Sequence, residues 1–108
     1  MRVGHELTQL YRQHGPFVLI HGDCATGADA AAHHWYQVAG AGLGCEELRF
    51  SAAWERYGPK AGPIRNRKMV SEARADLVLA FLHGASNGTR HTISLAAAAG
   101  IEVRRYEA

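Results

Sequence analysis

The order of apolar and polar positions predicts strands that alternate with helices. Two short runs, Phe17 to His21 and Leu77 to Leu82, are almost continuously apolar, which is typical of strands covered on both faces. Two further runs, Glu46 to Phe50 and Ile101 to Tyr106, mix apolar and charged residues, which favours the edges of a sheet. We therefore predict an α/β fold: a three-layer sandwich with one parallel sheet of about four strands, apolar strands central, and helices on both faces.

The helical segments carry recognisable end signals. The first, roughly Glu6 to Gln13, is followed by Gly15-Pro16, a strong stop signal. The third begins at Gly62-Pro63, with proline expected at the first helical position because its missing N–H has no intrahelical partner there. The fourth runs from about Asn87 to Gly100, where glycine suits the residue after the C-cap.

Length and composition indicate one globular domain over residues 1–108. The chain is 47% hydrophobic, but its longest apolar run is too short to span a bilayer, and the first residues lack an apolar signal core. Cys24 and Cys45 do not form a disulfide framework, so we interpret them as reduced thiols of a cytoplasmic protein.

Candidate ligand residues lie in the turns that follow the strands. In a parallel sheet, ligands bind beyond the carboxyl ends of the strands, where helix N-termini attract anions. Glycine in such turns lets a phosphate approach the backbone, although strand-to-helix turns need glycine in any case. Asp29 has two interpretations, a capping box with Thr26 or a ribose contact. The candidates in the two glycine-rich turns are Gly22, Asp23, Thr26, Gly27, Asp29, Gly84, Ser86, Asn87, Gly88 and Thr89.

The third helix adds a basic start and one unexpected amide. Asn66 lies in line with the apolar row of this helix, so it must find partners if it is buried. It either bonds to nearby backbone or lines a pocket, in which Arg65 and Arg67 contact phosphate. The net charge is only +2, but the stretch from Arg56 to Lys68 is strongly basic. That stretch fits an anionic ligand or a solvated face.

We recognise no metal-binding or catalytic motif in the sequence. His33 and His34 are adjacent and point to different helix faces, and the chain has no HxxxH or CxxC spacing. His21, Asp23 and Cys24 share one strand end, but no fourth ligand is evident. We therefore expect no metal site and assign no catalytic residue.

Four segments resemble the SLOG superfamily, a Rossmann-like nucleotide-sensing group, and within it the YspA-like branch. They are His21 to Ala30, Trp54 to Gly58, Ala61 to Arg67 and Ala75 to Phe81. The resemblance implies a Rossmann-like fold and a nucleotide ligand, adenine- or NAD-derived, held by the glycine-rich turns and by Arg65, Asn66 and Arg67. It favours a small-ligand sensor or sequestering module.

Two more distant relatives imply other functions. Lonely-guy phosphoribohydrolases are nucleotide N-glycosidases, but Thr92 occupies the position of their catalytic glutamate, so Asp29 or another carboxylate would have to substitute. DNA-processing protein A is similar at the glycine-rich turn and the Arg-Asn-Arg helix start, and it binds single-stranded DNA. In that alternative Trp54 or Tyr57 stacks on bases, whereas core packing is the expectation we prefer for Trp54.

One departure concerns the start of the sheet. The resemblance implies a first, central strand ending in Gly-Ser-Arg, and this strand is absent from the chain. Either the natural start lies upstream of Met1, or this is a shortened version. In a shortened version, Phe17 to His21 pairs directly with Leu77 to Leu82, or a partner chain fills the gap. The second arrangement favours a homo-oligomer.

Overall fold

Helices and strands alternate along the chain, as the apolar pattern predicts. The computed structural model describes residues 2–83 and 86–107. The strands are β1 (Val18–His21), β2 (Glu46–Arg49), β3 (Leu77–Leu82) and β4 (Glu102–Glu107). The α-helices are α1 (Arg2–His14), α2 (Gly27–Trp35), α3 (Trp54–Tyr57), α4 (Ala61–Ser71) and α5 (Asn87–Ala98). A π-helical turn (Tyr36–Gly40) follows α2, and a 3-10 turn (Gly58–Lys60) precedes α4. In the described part of the chain, no helix is both long and apolar enough to cross a membrane.

The strands form two parallel pairs. β1 pairs with β2 across the crossover that contains α2, and β3 pairs with β4 across α5. Mixed α/β structure and parallel pairing are therefore confirmed. The two ladders are separate two-stranded sheets among the described residues, so a single sheet of about four strands stays a prediction.

The chain divides into two units, Met1–Arg49 and Phe50–Ala108, each with one β–α–β element. We describe each unit by itself. The prediction of a single domain concerns the whole chain and stays a prediction.

The first unit packs around Trp35, at the end of α2. Its ring lies parallel to that of Phe17, with centroids 5.7 Å apart, and its indole N–H donates to the hydroxyl of Thr8 on α1 over 3.1 Å. Residue 40 must be glycine here, since a Cβ would lie 2.5 Å from Cζ3 of Trp35. Trp35 thus ties α1, α2 and the chain before β1 into one core.

The second unit packs around small and branched apolar residues. Ala80 and Leu82 of β3 meet Ile93 of α5, and Val103 of β4 packs against them. Ala96 of α5 is completely buried. Small side chains let α5 lie close to the β3–β4 pair, which brings the start of the helix near the end of β3.

Some sequence predictions were wrong in detail. β1 is not covered on both faces, because Val18 is 44% exposed. Helix α4 begins at Ala61, so Pro63 occupies the third helical position; this costs no hydrogen bond because the first-turn N–H groups have no intrahelical acceptors. Trp54 is not a core residue but 57% exposed, since it starts a single-turn helix and only the edge of its ring lies over Gly62.

Candidate functional site

A cluster of three titratable side chains lies in the first unit. In the β1–β2 register, Leu19 pairs with Glu47 and His21 with Arg49, so His21 and Glu47 are diagonal neighbours on one face of the pair. Helix α2, which connects the two strands, supplies His33. We call His21, His33 and Glu47 the His–Glu cluster.

Both histidines converge on one carboxylate oxygen. Oε2 of Glu47 lies 2.9 Å from Nε2 of His21 and 2.7 Å from Nδ1 of His33. The side chains of His21 and Glu47 are only 4% and 9% exposed, whereas that of His33 is 31% exposed. The guanidinium of Arg49 lies 3.7 Å from the other Glu47 oxygen, with Nε the nearest atom. A buried carboxylate is thus surrounded by nitrogen atoms, and the cluster reaches solvent on the side of His33.

The environment of Glu47 favours its charged form. Burial by itself raises the pKa of a carboxyl group, and the hydrogen bonds from His21 and His33 lower it. The hydrogen bonds prevail, and the pKa of Glu47 lies below its ordinary value of 4.5. Glu47 therefore carries a negative charge at neutral pH.

The first glycine-rich turn is attached to this cluster through His21. The backbone N–H of Asp23 donates to Nδ1 of His21 over 3.0 Å, and Asp23 adopts the left-handed conformation, with φ of 56°. The Asp23 carboxylate lies 3.6 Å from the Arg49 guanidinium. The predicted site residue Gly22 is buried, and Asp23 is exposed at the surface of the turn.

The predicted capping box at the start of α2 is only partly present. Thr26 is the N-cap residue, but its side chain makes no capping hydrogen bond. Asp29 does reach back, and its Oδ2 accepts from the N–H of Cys24 over 3.3 Å instead of from the N-cap residue. Gly27 has φ of 74°, which explains glycine at the first helical position. The ribose contact of Asp29 stays a prediction.

A second polar cluster lies in the second unit and centres on Asn66. As predicted from its place in the apolar row of α4, Asn66 is buried, at 4% exposure. Its Oδ1 accepts from Nε of Arg65 over 2.8 Å. Its Nδ2 donates to Nδ1 of His91 over 3.2 Å and to the carbonyl of Gly88 over 3.4 Å. We call Arg65, Asn66, Gly88 and His91 the Asn66 cluster.

This cluster joins α4 to the first turn of α5. Ser86 is the N-cap of α5, with a left-handed φ of 44°, and makes no side-chain capping bond to the described residues of the helix. Its hydroxyl instead exchanges hydrogen bonds with the backbone of His83. Asn87 and Gly88 are exposed and Thr89 is half-buried. Gly84 lies outside the described residues.

The remaining predicted residues are less closely connected. Arg67 is exposed, and its carbonyl accepts the hydroxyl of Ser71 over 2.8 Å. Thr92, at the position the resemblance assigns to a catalytic glutamate, donates its hydroxyl to the carbonyl of Gly88 over 3.2 Å. The structure thus brings Arg65, Asn66 and Gly88 together within one unit, and it adds His91, which sequence reasoning did not single out.

An exposed aromatic surface lies before α4. Trp54 and Tyr57 are 57% and 36% exposed, and the guanidinium of Arg56 lies 5.1 Å from the centroid of the Tyr57 ring. A shallow groove runs along residues 52–56. We call Trp54, Arg56 and Tyr57 the aromatic surface.

Sequence reasoning missed the His–Glu cluster because its members come from three separate elements. No fixed spacing connects a strand-end histidine, a helical histidine and an acid in the next strand. The sequence offered one indication of the cluster. Glu47 is followed by the apolar Leu48 in a short strand, and successive side chains of a strand point to opposite faces. Only the register of β1 and β2 shows that Glu47 faces His21.

Comparison with known proteins gives one informative relative. The chain is 42% identical over 99 residues to the Gene 61 protein of Mycobacterium phage D29, which covers 91% of this chain and 78% of the phage protein. The chain belongs to the family of this phage protein. The region of this chain that aligns with the Gene 61 protein is longer than either unit alone, so it includes parts of both. No family model matches the chain, and no solved structure matches it.

Proposed function

We propose that this protein binds a nucleotide or a nucleotide-derived phosphate ligand, as a sensor or sequestering module. One observation carries the proposal: Asn66 holds Arg65 through its oxygen and the first turn of α5 through its amide nitrogen. A guanidinium and the positive end of a helix are thus organised around the same buried amide.

The start of α5 has the chemistry of a phosphate site. The first N–H groups of a helix lack intrahelical acceptors and carry partial positive charge. Ser86 leaves them without a side-chain cap among the described residues. No described heavy atom lies within 4 Å of the position where a Cβ on Gly88 would stand, so the backbone there is approachable.

Asn66 contributes by positioning rather than by contact. Its oxygen and nitrogen are both engaged within the protein, which removes the free-energy cost of burying an unpaired amide, about 1–3 kcal/mol. Because Nε of Arg65 is already bonded, rotation of the guanidinium is restricted. An oriented guanidinium loses less entropy when it binds a phosphate.

We further propose that the fold is Rossmann-like, with the two parallel pairs belonging to one sheet of the SLOG type. Support comes from the two β–α–β elements with parallel pairing and from the glycine-rich turn after β1. Within the first unit, Gly22, Thr26 and Gly27 form a second candidate anion-binding turn. An adenine- or NAD-derived ligand follows from the resemblance alone.

The proposal is tested by thermal-shift and calorimetric titration with AMP, ADP, ATP, NAD, ADP-ribose and cyclic dinucleotides at fixed salt. A ligand at a hundred times its Kd stabilises the folded state by about 2.7 kcal/mol. Arg65→Ala should weaken binding at least tenfold, measured by calorimetry at a temperature where the variant is folded, because the variant also loses the hydrogen bond to Asn66. Arg105→Ala, an exposed arginine on β4, is the control of equal charge. Unchanged affinity in Arg65→Ala would show that the ligand does not bind at the Asn66 cluster.

The aromatic surface favours a second candidate, single-stranded DNA binding. Exposed aromatic rings beside a guanidinium are the usual platform for stacked bases, worth about 1–3 kcal/mol per base. The basic stretch from Arg56 to Lys68 would contact the phosphates. The affinity should then fall with salt, by about 0.7 log units per log unit of salt for each phosphate contacted.

A fluorescence titration separates the two candidates. If DNA binds at the aromatic surface, a short oligonucleotide should quench the exposed Trp54, and Trp54→Leu should remove both the quenching and most of the affinity. Trp35 is 6% exposed and supplies the unquenched background. If Trp54→Leu binds DNA as the parent does, stacking at this surface is excluded.

A further inference from the structure

We propose that the His–Glu cluster binds one divalent transition-metal ion of the Zn²⁺ class through His21, His33 and Glu47. The proposal does not rest on nucleotide binding, because it is argued only from His21, His33 and Glu47 of the first unit. The three donor atoms lie within 4.8 Å of one another. Two of the three side chains are almost fully buried.

The donor set selects the kind of ion. Two imidazole nitrogens and one carboxylate oxygen suit Zn²⁺, Co²⁺ or Ni²⁺, whereas Mg²⁺ and Ca²⁺ prefer oxygen ligands throughout. Two histidines and one acidic residue are also a known protein ligand set of zinc sites that keep an open position. The partial exposure of His33, at 31%, leaves room on that side for a water ligand.

The distances require a small opening of the cluster. Bonds of about 2.0–2.2 Å to zinc place tetrahedral donor atoms about 3.3–3.6 Å apart. The donors of His21 and His33 are now 2.9 and 2.7 Å from Oε2 of Glu47, as hydrogen bonding demands. The two separations must therefore grow by about 0.4–0.9 Å, and His33 can provide most of this because its side chain is 31% exposed on α2.

Metal binding also requires two protons to move. In the metal-free form Asp23 donates to Nδ1 of His21, so neutral His21 carries its proton on Nε2 and donates it to Glu47. Nδ1 of His33 donates to the same carboxylate. Each imidazole must therefore shift its proton to the other ring nitrogen before it can coordinate the ion.

For His21 that shift breaks the contact with Asp23. A protonated Nδ1 would face the Asp23 N–H, so the turn must move when the ion binds. Three hydrogen bonds are lost, one from the Asp23 backbone and two to Glu47, against three new metal–ligand bonds. Asp23 is also released from a left-handed conformation that non-glycine residues rarely adopt. The site thus couples ion binding to the conformation of the glycine-rich turn.

Arg49 carries a positive charge close to the cluster, and this charge opposes the ion. Its guanidinium lies 3.7 Å from Oε1 of Glu47 and 3.6 Å from Asp23. Its side chain is 50% exposed, so it can turn toward solvent when the turn moves. Arg49→Gln should therefore strengthen metal binding, by about threefold to tenfold.

The first test is titration of the untagged, chelator-treated full chain with Zn²⁺ by calorimetry and with Co²⁺ by absorption. We expect one ion per chain with a Kd below the micromolar range. His33→Ala and Glu47→Gln should each weaken binding at least a hundredfold. His34→Ala is the matched control, because His34 is the exposed neighbour of His33 and lies outside the cluster.

Two results of this titration would overturn the proposal. The first is no binding in the parent chain whose fold circular dichroism has verified. The second is binding that survives His33→Ala, or that is lost in His34→Ala or in Cys24→Ser, which removes the exposed thiol. His33→Ala places a strong helix former in α2, so loss of folding is not expected to obscure the result.

The second test reads the protons directly. Nitrogen NMR of the histidine rings should show the proton of His21 on Nε2 without metal and on Nδ1 with Zn²⁺, together with a shift of the Asp23 amide resonance. Zn²⁺ binding that leaves the His21 ring and the Asp23 amide unchanged would place the ion elsewhere and contradict the proposal. Arg65→Ala should bind Zn²⁺ as the parent does, which separates this result from the fate of the nucleotide proposal.

Discussion

The two units of this protein each hold a buried polar cluster, one built around the carboxylate of Glu47 and the other around the amide of Asn66. In the first unit a carboxylate, Glu47, accepts from two histidines. In the second unit an amide, Asn66, joins a guanidinium to a helix N-terminus. The first arrangement favours a bound cation and the second a bound anion. We therefore propose a different ligand chemistry for each unit, according to the polar side chain that it buries.

The difference extends to the cores that support the clusters. The first unit depends on one large ring, since Trp35 ends the helix that carries His33. The second unit packs small residues of α5 against β3 and tolerates an amide in the apolar row of α4. The predictions that follow test these dependences, beginning with the largest expected effect.

Among substitutions that add one methyl group to the first unit, we expect Gly40→Ala to reduce stability the most. The new Cβ would lie 2.5 Å from Cζ3 of Trp35, so the ring or the π-helical turn must shift. We expect a loss of about 3 kcal/mol in the free energy of unfolding by urea, at the upper end for overpacking. Gly42→Ala is the control, since its Cβ would make only an ordinary 3.6 Å contact with the carbonyl of Ala39. Equal stability of the two variants would show that Trp35 does not restrict residue 40.

Asn66→Ala should cost about 2 kcal/mol in urea unfolding. The substitution removes the hydrogen bonds to Nε of Arg65 and to Nδ1 of His91, both of which are half-buried. Asn87→Ala removes an exposed amide at the start of α5 and should change the free energy by less than about 0.5 kcal/mol. If the two asparagine variants behave alike, Asn66 has no structural role in joining α4 to α5.

Glu47→Gln should cost about 1–2 kcal/mol at neutral pH, because it removes the negative charge that strengthens the hydrogen bonds from both histidines. The pKa of Glu47 is lowered in the folded state. Its contribution to stability is therefore complete above the ordinary pKa and is lost as the pH falls through the lowered value. The stability difference between parent and variant should shrink below about pH 4.5. A difference that stays constant between pH 3 and pH 7 (about the range of carboxyl titration) would contradict the charge assignment.

The smallest effect is expected where a charge pair lies at the surface. Arg2 and Glu6 face each other on α1 at 3.4 Å, with the Arg2 side chain 54% exposed. Glu6→Gln should reduce the free energy of unfolding by only about 0.3 kcal/mol, and less at high salt. A cost similar to that of Glu47→Gln would show that charge, not burial, sets the importance of the His–Glu cluster.

Sequence reasoning succeeded where the signal is local. The run Leu77 to Leu82 forms β3 with the predicted bounds, and Gly100 has the positive φ expected after a helix. Asn66 was placed correctly in a buried row because helical spacing relates it to its neighbours on α4. Backbone preference and side-chain periodicity act over one or two helical turns or a few strand residues, so a short stretch of sequence is enough to predict them.

It failed where exposure depends on what packs nearby. The expected core position of Trp54 was wrong, since the preceding chain forms only a single helical turn there. The predicted start of α4 was also wrong by two residues, because the first turn of a helix accepts proline at several positions. Neither outcome follows from composition.

What the sequence by itself determined is the order of elements, their parallel pairing and the buried place of Asn66, since each follows from short-range periodicity. Only the tertiary structure decided that His21, His33 and Glu47 meet. Their meeting depends on the register of β1 against β2 and on the rotation of α2 above them, and both are set by packing around Trp35. Register and rotation join residues that are distant in the chain, and no local spacing encodes them.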